Sequence, residues 1–215
     1  MRAQLVSLLS ALADLVAPAR CLGCAAPHPP DQRWCGACAL SLAPPSKPPA
    51  EVFALYEHLG PVARAIRRAK YDNAPELAHA LGRALGAAMP PFAPGPVCLV
   101  PVPLHPQRLR ERGYNQAAEI ARGVAEMHNL TVRHDLLLRV RATRPQAQAD
   151  RALRQRNLEG AFAAAGSLPR GLLLVVDDVT TTGSTLRLCR EALRAAGAER
   201  VASAAVSSST RRSAC

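Results

Sequence analysis

The stretch VVDDVTTTGST, Val175 to Thr185, sets two adjacent carboxylates, Asp177 and Asp178, in front of four threonines, a serine and a glycine. Just upstream, Leu172 to Val176 form an unbroken, branched apolar run bounded by Gly171 and Asp177, the pattern of a strand buried on both faces of a parallel sheet. The acidic pair is therefore expected at that strand's carboxyl end. Residues 184–196 have helical periodicity, so Thr180, Thr181, Thr182, Gly183, Ser184 and Thr185 form a strand-to-helix turn, at the end of an open α/β sheet where ligands bind. Backbone N–H groups at a helix start, a glycine that lets a ligand approach, and a favourable helix dipole together make a phosphate cradle. Carboxylates repel phosphate, so they need a different partner. At neutral pH they accept hydrogen bonds and donate none, which suits the neutral hydroxyls of a ribose. A 5-phosphoribosyl group satisfies both halves of the stretch. A Walker B strand is the rival, but the chain has no G-x-x-x-x-G-K-[ST] and its only lysines are Lys47 and Lys70. Plain helix capping needs one polar side chain, not a run of them.

The whole chain of 215 residues is 49% hydrophobic and 20% charged, a globular composition with room for one substantial core and a small appendage. A formal net charge of +11 favours anionic partners such as nucleic acid or phosphorylated metabolites. Aromatics at 3% exclude an array of base-stacking side chains, leaving Trp34, Tyr71 and Tyr114 as individual candidates. The first 18 residues hold an apolar stretch broken by Ser7, Ser10 and Asp14, short of the roughly 20 apolar residues that span a bilayer, so no membrane insertion is expected. Leu5, Leu8, Leu9, Leu12 and Leu15 recur at helical spacing and read as an amphipathic helix packed on the protein; Asp14 and a thin basic region argue against a signal peptide.

Four of the seven cysteines form two C-x-x-C knuckles, Cys21 with Cys24 and Cys35 with Cys38, ten residues apart. Two such turns supply four thiolates for a tetrahedral zinc site, and four protein ligands leave no open position, so the metal would be structural. The proline-rich segment between them is too short to carry its own core. Disulfides and an iron–sulfur cluster are the alternatives; the odd cysteine count and an expected cytoplasmic location oppose disulfides. His28 reads as a loop residue, Cys98 and Cys189 as small buried hydrophobes, and Cys215 as a tail residue. The prolines of residues 41–50 mark a linker, which divides the chain into a module at 1–45 and a body at 51–212.

In the body, a strand near residues 51–60, helices at 61–70 and 75–89, a loop at 90–96 and a strand at 97–100 lead into PVPLHPQRLRERGYNQ. Prolines stiffen this turn, and Arg108, Arg110 and Arg112 are expected to converge on the start of a helix at 114–126, suiting a pyrophosphate. A strand at 136–140 precedes a long polar segment in which Arg144, Arg151, Arg154 and Arg156 are candidate anion contacts on a lid-like arm. Residues 201–207 read as the last strand. The succession is that of a parallel α/β sheet flanked by helices.

An apolar amino-terminal helix, paired C-x-x-C knuckles, PVPLHPQRLRERGYNQ, RQRNLEGAF and VVDDVTTTGST, in that order, closely resemble the ComF family of phosphoribosyltransferase-like proteins. The resemblance implies a type I phosphoribosyltransferase fold, a zinc-binding module, and bound 5-phosphoribosyl pyrophosphate (PRPP) with Mg²⁺. Carried over position by position, Asp177 and Asp178 would hold the ribose hydroxyls and act as the catalytic pair. Thr180 to Thr185 would take the 5-phosphate, and Leu104, His105, Arg108 and Arg112 the pyrophosphate. Members are implicated in natural competence, which implies single-stranded DNA and competence-machinery proteins as partners, with Arg144, Arg151, Arg154 and Arg156 as nucleic-acid contacts. An active phosphoribosyltransferase acting on a nucleobase or another nitrogen acceptor is the alternative. Tyr114, Asn115 and Gln116 are weaker candidates for a base or nucleic-acid site.

Overall fold

The computed structural model describes residues 19–29, 32–140 and 160–209. Strands β1 (Val52–Glu57), β2 (Val97–Pro101), β3 (Thr131–Val132), β6 (Leu172–Thr180) and β7 (Arg200–Ser208) form one parallel sheet in the order β1-β7-β6-β2-β3. Strands β4 (Leu137–Arg139) and β5 (Phe162–Ala164) pair antiparallel as a separate ribbon. The helices are α1 (Gly36–Ala39), α2 (Gly60–Tyr71), α3 (Pro75–Ala88), α4 (Pro106–Arg112), α5 (Gln116–His128) and α6 (Ser184–Ala195). Parallel α/β architecture is what the sequence pattern predicts.

Successive side chains of a strand point to opposite faces, and β6 shows this directly. Leu174 and Val176 join a core with Val62 and Ile66 of α2, Leu81 and Leu85 of α3, and Ile120 and Val124 of α5. Leu173 and Val175 join a second core with Leu186, Cys189 and Leu193 of α6 and Leu137 and Phe162 of the ribbon. Both faces are thus covered, as the unbroken apolar run requires. Prolines open α2, α3 and α4, where the missing N–H costs nothing. Helices α3 and α5 meet backbone to backbone: a Cβ on Gly82 would stand 2.1 Å from the Ile120 carbonyl oxygen, and one on Gly123 2.2 Å from that of His79.

The boundaries differ from expectation in three places. Strand β6 continues to Thr180 because β7 keeps pairing with it as far as Ser208, whereas β2 pairs only to Val176. The acidic pair therefore lies within the strand, beyond its shorter neighbour. Residues 106–112 form a helix and not a stiff loop, since the His105 ring accepts from Gln107 N–H and Gly113, at φ 78°, closes the far end. The strand expected at 136–140 belongs to the ribbon, and its partner β5 begins at Phe162, the last residue of the stretch read as a polar arm. The amino-terminal helix and most of that arm lie outside the described residues.

Candidate functional site

From β2 the chain moves to β3 on one side of the sheet, and from β6 to β7 on the other. The carboxyl ends of β2 and β6 thus flank a topological switch point, the usual crevice for ligands in such sheets. Leu104 and His105, half-buried, follow β2; Thr181, Thr182 and Gly183 follow β6. Gly183 has φ 76°, a left-handed conformation that turns the chain into α6. The Thr182 and Ser184 hydroxyls meet at 2.7 Å. Thr180 is buried, and its Oγ1 has no hydrogen-bond partner among the described residues. The first N–H groups of α6 have no acceptor within the helix.

Each carboxylate accepts the next backbone N–H: Asp178 N donates to Asp177 Oδ1 at 2.8 Å, and Val179 N to Asp178 Oδ1 at 2.9 Å. By the alternation of β6, Asp178 turns to the α2 face and Asp177 to the α6 face. On the α2 face, Lys70 Nζ lies 2.5 Å from Asp178 Oδ2, an ion pair close in distance but poorly aligned as a hydrogen bond. Burial drives the Lys70 pKa down, but the Asp178 carboxylate outweighs it, and the net shift is upward. His58, whose Nδ1 lies 2.9 Å from the Ser207 hydroxyl, is pushed down by burial and then by Lys70, which favours the neutral ring. Burial, then the Asp178 charge, pushes the Asp177 carboxyl well above the ordinary carboxylate range. On its side lies Arg139 of β4, lowered by burial and raised chiefly by the Asp177 carboxylate, with its guanidinium 5.6 Å from the centre of the Phe162 ring.

The arginines after β2 do not converge. Arg108 pairs with Glu111 at 3.3 Å and Arg110 is exposed, while Arg112 donates to Gln116 and lies 5.6 Å over the exposed ring of Tyr71 at the end of α2. Helix α4 turns Arg110 away from Arg108 and Arg112, which lie one turn apart on the same face. Tyr114 donates its hydroxyl to the Ala69 carbonyl, Asn115 caps α5 and donates to the Val102 carbonyl, and Gln116 is buried. These three brace the crevice wall. Arg144, Arg151, Arg154 and Arg156 lie outside the described residues.

Sequence reasoning missed Lys70, His58 and Arg139. For Lys70 a signal existed: in a chain whose other basic residues are almost all arginine, one of two lysines stands on the half-buried side of an amphipathic helix.

The sulfur atoms of Cys21, Cys24, Cys35 and Cys38 all lie within 4.8 Å of one another, with Cys24 and Cys35 at 3.7 Å. A tetrahedron of thiolates at a zinc–sulfur distance of ~2.3 Å has an edge of about 3.8 Å, so the cluster can hold a metal ion of that size. Burial opposes ionisation of Cys21, but the N–H groups of Cys35, Cys24 and Gly23 overcome it and bring the thiol to about 6. Cys38 is pushed up to about 12 by burial and the neighbouring thiols. The module is fastened to α2: Arg64 donates to the Gly23 carbonyl at 3.5 Å and Arg68 to that of Leu22 at 3.2 Å, while Trp34 packs edge-on against Tyr56 at 5.7 Å. Cys21, Leu22, Trp34 and Cys38 belong to the same core as Val62 and Ile66 of α2. Among the described residues no helix is long and apolar enough to cross a membrane.

Over 190 residues the chain is 32% identical to the DNA utilization protein YhgH of Salmonella typhi, covering 84% of this chain and 80% of that protein. Competence protein F of Haemophilus influenzae is 31% identical over 152 residues, 67% of this chain and 66% of that one. The chain belongs to the ComF family. The YhgH protein of Escherichia coli K12 is a further ComF relative, 29% identical over 84% of this chain and 80% of its own length. No protein-family model matches the chain. Among solved structures, this ComF chain is similar to the allosteric regulatory enzyme of purine biosynthesis and to the glutamine PRPP amidotransferase of B. subtilis. Each is 24% identical over 60% of this chain, with a TM-score of 0.41, and the chain spans 25% of either.

Proposed function

We propose that this ComF chain binds Mg²⁺-PRPP in the β2–β6 crevice and works in DNA handling during competence or DNA utilization. The observation that carries it is the pairing, at one switch point, of two carboxylates with an unsatisfied threonine hydroxyl and a glycine-hinged helix start. Asp177 and Asp178 are the acceptors for the ribose diol, the turn from Thr180 to Thr185 receives the 5-phosphate, and Leu104, His105, Arg108 and Arg112 form the pyrophosphate side. Magnesium bound with the ligand supplies counter-charge to the pyrophosphate. Zinc at Cys21, Cys24, Cys35 and Cys38 is structural, since four protein ligands leave no open position, and a reducing cytoplasm keeps such thiols available to metal. The module at 1–45 and the body at 51–212 then form two parts of one unit, joined through α2.

Single-stranded DNA is the proposed partner, supported by the net charge of +11 and by relatives named for DNA utilization and competence. Oligonucleotide titration across a salt series tests it: log affinity should fall linearly with log salt, and Arg151→Gln, Arg154→Gln and Arg156→Gln together should reduce the slope by roughly 0.7 per lost phosphate contact. A slope unchanged in that variant removes the assignment of these arginines. The second reading is catalytic transfer to a nitrogen acceptor, which the intact carboxylate pair keeps open. Sustained pyrophosphate release from Mg²⁺-PRPP with one nucleobase of a panel would establish turnover, and its absence with every base would leave a binding module.

A further inference from the structure

We propose that Lys70 is the cation that receives the pyrophosphate end of the ligand, held ready in the free protein by Asp178. The inference rests on the phosphoribosyl reading of the crevice and adds a residue from a different element to it.

An ammonium group carries three donors, and among the described residues that of Lys70 has one partner, Asp178 Oδ2. Its side chain is only 24% exposed, and burying a charge with one contact is costly unless that contact is strong. The same Asp178 is an acceptor assigned to the ribose diol. Hydroxyls drawn onto its carboxylate weaken the hold on Lys70, which then needs a second anion within reach. Among the described residues no other anion contacts it: His58 is pushed toward its neutral form, Asp177 acts on it only through space from the other face of the strand, and the nearby charge from the α4–α5 side is the guanidinium of Arg112. Arg112 also repels Lys70, and Tyr71 beneath its guanidinium helps fix it there. Two cations that repel one another, of which only Lys70 has a carboxylate partner among the described residues, are relieved by a ligand with more than one negative charge. A diphosphate provides that, and a lysine suits it as a mobile point charge in a chain with only two lysines. A mere counter-ion to Asp178 would respond alike to every ligand in the crevice.

The test is isothermal titration of the full chain with PRPP, pyrophosphate and ribose 5-phosphate, each with Mg²⁺, comparing wild type with Lys70→Met and Lys70→Arg at a temperature where circular dichroism shows all three folded. Lys70→Met should weaken PRPP and pyrophosphate by about 10- to 100-fold, the range for hydrogen bonds to a charged group, while ribose 5-phosphate binds unchanged or more tightly because Asp178 is released. Lys70→Arg should restore most of the lost PRPP affinity. Equal weakening of PRPP and ribose 5-phosphate, or no weakening of PRPP, overturns the proposal while leaving the crevice assignment standing. Wild-type protein that binds none of the three overturns both.

Discussion

Removing Lys70 tests the electrostatics of the site without any ligand. Lys70→Met strands a carboxylate, Asp178, that is 7% exposed. At 2.5 Å, with an effective dielectric constant of about 20, the gross attraction lost is on the order of 6–7 kcal/mol. The net loss is smaller, because the pair also gives up its hydration in folding and Lys70 keeps some contact with water. A ceiling comes from protonation: neutralising a carboxyl of ordinary unfolded-chain pKa costs about 4 kcal/mol at pH 7 and about 1.5 kcal/mol at pH 5. The variant should therefore be about 2–4 kcal/mol less stable at pH 7, a Tm lowered by about 5 to 15 °C for a chain of this size, with the deficit shrinking at pH 5. Adding Asp178→Asn to Lys70→Met should recover most of the loss, since a neutral amide needs no cation. Thermal and urea melts of the three proteins at both pH values measure this. A single variant within about 0.5 kcal/mol of wild type at pH 7, or a deficit that does not shrink on acidification, would refute the pairing.

Three further outcomes follow from the geometry. Protein purified without oxygen should carry one zinc per chain by elemental analysis; Cys38→Ser should lose it and, because Arg64 and Arg68 tie the module to α2, also weaken PRPP binding. Gly82→Ala drives a methyl into the Ile120 carbonyl and should cost at least about 2 kcal/mol in a urea melt, against near zero for Gly36→Ala, which meets nothing within 4 Å. Because burial and then Asp178 raise Asp177 above its ordinary 3.8, its contribution to stability is full below that value and is lost as pH rises through the raised one. Relative to Asp177→Asn, wild type should therefore gain stability as pH falls from 7 toward 5, and parallel Tm–pH curves would show that Asp177 is not perturbed.

The central strand and its loop were legible because an apolar run ending in Asp177 and Asp178 admits few placements, and the cysteine cluster because paired knuckles at short spacing need a shared centre. The end of β6 was not, since its length depends on how far β7 runs alongside it, a property of a segment some 30 residues away. Composition makes residues 106–112 look like a loop; a histidine cap and a proline at the first turn make them a helix, which turns Arg110 away from Arg108 and Arg112. Lys70, His58 and Arg139 reach the crevice from α2, the end of β1 and the ribbon, and local pattern carries no record of such approaches. The local pattern points Asp178 to a ligand alone, whereas the fold gives it a cation of its own.

Calorimetric titration of Mg²⁺-PRPP into wild type and into Asp177→Asn/Asp178→Asn, both confirmed folded, bears most directly on the phosphoribosyl crevice. Wild type should bind one PRPP per chain, and the double variant should bind at least about tenfold more weakly, having lost the two carboxyl groups that accept from the diol. Absence of binding to wild type, or equal affinity in the two proteins, would contradict the assignment of this crevice.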